Sequence, residues 1–106
     1  MTIFSLEPTL EHLVGCFSRG HSPILTIDPG DTVRYRTLDA GWGLEPLVTF
    51  EPPRKKFEPK NPDDVNGHCL VGPIAIRGAE AGMTLAVEIG MIIPGSYGFT
   101  LAGGWD

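Results

Sequence analysis

The stretch that most constrains the fold is "PILTIDPGDTVRYRTLDA", residues 23–40. A short apolar run, residues 24–27, is followed by "DPGD", and then Val33, Tyr35 and Thr37 alternate with Arg34, Arg36 and Leu38. Proline at the first central turn position presets φ near −65°, and glycine at the second accepts the positive φ that a type II turn needs. The segment therefore reads as strand, tight turn, strand, with the alternation placing one face inward and one in water. Asp28 and Asp31 are accounted for by turn chemistry.

The device recurs. In "IAIRGAEAGMTLAVEIGMII", residues 74–93, Gly82 stands where Gly30 stood and Thr84 where Thr32 stood. Leu85, Val87 and Ile89 then take the places of Val33, Tyr35 and Thr37. One echo does not make a repeat; it describes two strand-turn-strand units with similar turn chemistry. The chain carries 14 glycines and 10 prolines, scattered without period, so they punctuate many short elements. Its 106 residues suit a single domain (1–106) with one modest core. These features predict an all-β fold, a jelly-roll-like β-sandwich of short antiparallel strands joined by Gly/Pro turns, with little helix. In "SLEPTLEHLVGCF" the apolar residues Leu10, Leu13, Val14 and Phe17 have helical spacing but Pro8 interrupts, leaving a short helix and a strand equally open. Between the two units, "EPPRKKFEPKNPDDVNG" reads as a long loop that delivers the chain to His68.

Charge and cysteine content narrow the function classes. The net charge of −5 offers no footprint for nucleic acid, and the one cationic cluster, Arg54-Lys55-Lys56, is flanked by acids and reads as a solvated loop. Two cysteines, Cys16 and Cys69, cannot staple a disulfide-rich scaffold. The N-terminus lacks the basic-then-apolar pattern of a signal peptide, and no run approaches the ~20 apolar residues of a membrane span. A cytoplasmic protein without membrane or nucleic-acid partners is expected.

The chemistry-bearing residues are few. His68 and Cys69 are neighbours, and in an extended strand neighbours point to opposite faces, so they do not form a nucleophile–base pair. Cys69 reads as a small buried packing residue. His68 is either a strand-edge histidine or a site residue. Asp39 closes the alternating strand beside "AGWG"; a metal ligand, a general base and a surface carboxylate all fit it. No local metal-ligand spacing, no nucleotide-binding glycine fingerprint and no GxSxG elbow is present, and no organic cofactor is expected.

Taken in order, "GCFSRGHSPILTIDPGDTVRYRTLDAGWG" and "HCLVGPIAIRGAEAGMTLAVEI" resemble the N-terminal part of the acetamidase/formamidase family. The likeness runs from about residue 14 to the closing "AGGWD", with Ala81 and Met83 departing from the proline and aspartate of the family's second turn. The resemblance implies an amidohydrolase that converts small linear amides, such as formamide or acetamide, to carboxylate and ammonia. It implies zinc or calcium as a possible metal, with Asp39 and His68 as candidate catalytic residues and metal ligands. Family enzymes are much longer, so the resemblance also implies a missing C-terminal portion and an isolated chain that is catalytically incomplete. The alternative is a non-catalytic assembly module. In either case the apolar "SYGFTLAGGW" edge predicts a homo-oligomer.

Overall fold

The computed structural model describes residues 1–100. Regular structure is β: six short strands and two 3-10 turns, with no α-helix among the described residues. The strands are β1 (Ile3–Leu6), β2 (Leu13–Val14), β3 (Leu25–Ile27), β4 (Thr32–Tyr35), β5 (Leu70–Val71) and β6 (Ile74–Ile76). They form three two-stranded pairs: β1 with β4, β2 with β5 and β3 with β6. No helix among the described residues is long and apolar enough to cross a membrane.

Here the expectation of antiparallel strands is corrected. Only β2–β5 is antiparallel; β1–β4 and β3–β6 are parallel. The Asp28–Asp31 turn forms as expected, with the Asp31 N–H donating to the Asp28 carbonyl at 3.0 Å and Gly30 at φ 91°. Yet β3 and β4 diverge after it, each pairing with a strand remote in sequence. Local turn chemistry reverses the chain, whereas the choice of partner depends on which edge can bury its apolar face.

Asp31 also helps make that choice. Its carboxylate accepts the Asp28 N–H at 2.9 Å and the Thr2 N–H at 2.8 Å, tying the start of β1 to the turn. The register then places Phe4 level with Val33 and Leu6 level with Tyr35. Phe4, Leu6 and Val33 turn inward while Ser5, Thr32 and Arg34 face water, but the alternation read from β4 does not carry on: Tyr35 is 46% exposed, Thr37 is exposed beyond the strand, and Leu38 is half-buried. The even bet over residues 5–17 resolves both ways, as a 3-10 turn at Leu10–His12 running directly into β2.

The core is small: Leu6, Leu13 and Ile27 on three strands, and Trp42, wholly buried, in the loop after β4. The long proline-rich loop is less open than its composition suggests. It bridges Lys56 to Gly43, then forms a 3-10 turn at Pro62–Asn66 capped by the Asn61 side chain. At its exit Gly67 crosses Gly15 so closely that a Cβ on Gly67 would overlap the Gly15 carbonyl.

Beyond the Gly82 turn the expected strand does not form. Residues 84–100 join no ladder and are exposed throughout. The chain accordingly exposes 8668 Å², against about 5,800 Å² for a compact monomer of its mass. Of the "SYGFTLAGGW" edge, residues 101–105 lie outside the described residues.

Candidate functional site

Asp39 sits where β4 has given way to the "DAGWG" loop, and the loop is built around its carboxylate. Oδ1 accepts the Gly41 N–H at 2.9 Å and the Gly43 N–H at 3.1 Å. Between these glycines Trp42 takes φ 63°, a left-handed conformation that costs a non-glycine residue roughly 1–2 kcal/mol. Several bonds hold it there. The Trp42 N–H donates to the Asp39 carbonyl, its indole Nε1–H donates to the Gly67 carbonyl at 2.9 Å, and its carbonyl accepts the Phe57 N–H at 2.8 Å. The indole also stacks on Phe57, with ring centroids 6.4 Å apart.

Arg54 closes the knot. Its guanidinium meets the Asp39 carboxylate side-on, Nη1 to Oδ2 at 2.6 Å and Nη2 to Oδ1 at 3.0 Å, the fork geometry of a strong arginine–carboxylate pair. Nη1 also donates to the Glu45 carbonyl at 3.1 Å, and the guanidinium lies 5.1 Å from the centroid of Phe99. This corrects the solvated-loop reading of Arg54-Lys55-Lys56 for its first member: the Arg54 side chain is only 6% exposed. Lys55 and Lys56 remain exposed. A lone arginine between two prolines and two lysines carries no local signal of burial; only the approach of Asp39 recruits it.

The electrostatics follow. The Arg54 hydrogen bond holds the Asp39 carboxyl below the usual carboxylate range, and Asp39 in turn raises Arg54. A carboxylate so stabilised is a weak base. Oδ1 already accepts three hydrogen bonds and Oδ2 one, leaving little lone-pair capacity. A divalent cation placed there would also face the guanidinium. Among the described residues no three His, Cys, Asp or Glu side chains come together in a way that could hold a metal ion. As arranged, Asp39 and His68 by themselves do not fit a resident zinc or calcium.

His68 is brought alongside by the backbone. The Cys69 N–H donates to the Ala40 carbonyl at 3.1 Å, so Asp39-Ala40 runs against His68-Cys69. His68 is exposed, and among the described residues no hydrogen bond reaches its ring nitrogens. Cys69 is half-buried, and burial first, then the charge of Asp39, pushes its thiol up to about 11. At neutral pH it is a packing thiol, as its sequence context suggests. A shallow groove nearby is lined by Arg54 and by loop residues from Glu45 to Pro53, but by neither Asp39 nor His68.

Compared with family models, curated proteins and solved structures, the chain matches none.

Proposed function

We propose that this chain is a β domain of an amide hydrolase of acetamidase/formamidase type, presenting His68 at one edge of a site that other groups complete. The observation that carries this reading is the Cys69–Ala40 hydrogen bond, which sets the "LDA" and "HCLVGP" motifs side by side although 29 positions separate Asp39 from His68. On this reading the imidazole of His68 takes a proton from the water attacking a small amide and returns it to the departing ammonia. General acid–base work of this kind contributes typically 10²–10⁴-fold. Asp39, a weak base tied to Arg54, positions the loop rather than moving the proton. A zinc or calcium ion enters only through ligands besides these two. Further strands packed on the exposed run beyond Gly82 would complete a sandwich.

The test has two parts. Ammonia release from formamide and acetamide, with and without added zinc, should stay within a few fold of the buffer rate for the chain alone, while the His68 ring resonances shift saturably as acetamide is added. Turnover far above background would overturn the incompleteness of the site. No shift at His68 would end the amide reading.

A second reading, self-association as an assembly module, rests on the run from Met83 to Ile93. Met83, Leu85, Val87, Ile89, Met91, Ile92 and Ile93 are each at least 62% exposed. Together they present on the order of 1,000 Å², beyond the largest apolar patch typical of a monomer and comparable to the ~800 Å² a side of a stable complex. The run holds one charge, Glu88, so a second copy of the same segment meets little repulsion.

A further inference from the structure

The run beyond Gly82 is an arm with a definite course. Among the described residues its backbone makes no hydrogen bond from Thr84 onward, and the chain neither turns nor bends before Ser96. So extended, the stretch from Met83 to Ile93 spans about 35 Å. The molecule is correspondingly long, 48 × 30 × 24 Å, with a radius of gyration of 16.0 Å, against about 13 Å for a compact domain of this length. The far end of the arm is tethered. Phe99 lies 5.1 Å from the buried Arg54 guanidinium, so the arm is held between the Gly82 turn and the Asp39–Arg54 pair.

The arm has two unlike faces. Successive side chains of an extended chain point to opposite sides. Every odd position from Met83 to Ile93 is apolar and at least 62% exposed, whereas the even positions hold Thr84, Ala86, Glu88 and Gly90 before Ile92. The odd face carries no charge and presents on the order of 800 Å², the area one partner contributes to a stable complex. Segments that lie on anionic membranes carry Lys or Arg beside their apolar face. From Gly78 to the end of the chain there is neither, while Glu80 and Glu88 are acidic. An uncharged strip is complementary to itself, and tethering at both ends lowers the ordering cost of using it.

We propose that the odd face of this arm, Met83 to Ile93, is a docking surface for the same face of a second copy, the two arms packing face to face across a two-fold axis. The proposal deepens the assembly reading and rests on it. Face contact is favoured over edge pairing because the backbone groups of the arm already bond to water, whereas only face contact removes the apolar strip from it. Glu88 and Thr84 then stay on the wet side. A two-fold contact uses the same patch on both copies, so it closes at a dimer and does not grow into a fibre.

The experiment is sedimentation of the whole chain over a range of concentrations, beside two variants that add the same charge on opposite faces. The parent should form a dimer that dilution below micromolar concentration returns to monomer. Ile89→Lys, on the apolar face, should raise the dissociation constant about 30-fold or more, and Ala86→Lys, on the other face, by less than about 3-fold. A dimer that both variants weaken equally, or that neither weakens, would overturn the face contact and leave the assembly reading standing. A parent that stays monomeric would overturn both. Aggregates that grow without limit would overturn the closed pair, and a monomer that sediments with phosphatidylcholine vesicles would give the face to lipid instead.

Discussion

Two turns in this molecule have the same backbone and opposite consequences. At Asp28–Asp31 and at Glu80–Met83 the chain closes a turn by a hydrogen bond of 3.0 and 3.1 Å, with Gly30 at φ 91° and Gly82 at φ 93°. Each turn follows a strand of the same parallel pair, β3 and β6. After the first, residues 32–35 become β4; after the second, residues 84–93 pair with nothing among the described residues. What differs is the supply of a partner. β1 lies in parallel register with β4, secured by the bonds from Thr2 and Asp28 to Asp31, and Leu6 on β1 has a core to enter. Alternation and turn chemistry make a segment able to be a strand. Only a second edge makes it one, because an isolated strand leaves its backbone groups to water and buries no side chain.

The contrast can be broken most forcefully at the supporting strand. Leu6→Ala removes one of the four hydrophobes buried among the described residues and should cost about 2–4 kcal/mol in denaturant unfolding, while Leu85→Ala, in the unpaired run, should stay within about 0.5 kcal/mol. Equal losses would mean that residues 84–93 are packed in solution.

The turns themselves give a smaller effect. A Cβ at either Gly30 or Gly82 meets no atom within 4 Å, so the cost of alanine lies in the left-handed backbone alone. Gly30→Ala should lower stability by about 1–2 kcal/mol because both flanking strands are pinned. Gly82→Ala should cost less than about 0.5 kcal/mol, since the chain after it is free to relax. Comparable melting shifts for the two would remove the distinction.

The smallest effect on stability is the most informative about assembly. Val87→Lys should change unfolding by no more than about 0.5 kcal/mol, yet sedimentation should show it more monomeric than the parent chain. An unchanged sedimentation profile would take residues 83–93 out of any self-association.

Much of the fold's local grammar is legible in the sequence, and its pairing is not. The β character, the Pro29-Gly30 turn and the packing role of Cys69 follow from spacing and residue type, whereas the inward set read on β4 fails after Val33, with Tyr35 and Thr37 exposed. The parallel pairing of β1 with β4 does not, because the two segments are separated by two further strands and no local rule joins them. Arg54 shows the same limit at the site. Among lysines and prolines it looks solvated, and it is buried only because Asp39 arrives with a carboxylate.

By itself, then, the sequence determined where the chain turns and that it is built of short strands, and its resemblance singled out Asp39 and His68 as candidates. The tertiary structure decided which strands meet and which one waits. It committed Asp39 to Arg54 and left His68 exposed beside it. The physical reason is the range of the forces involved. Turn geometry and alternation act over a few residues, so composition and spacing carry them. Partner choice and charge pairing act between groups tens of positions apart, and only the folded chain brings those within reach.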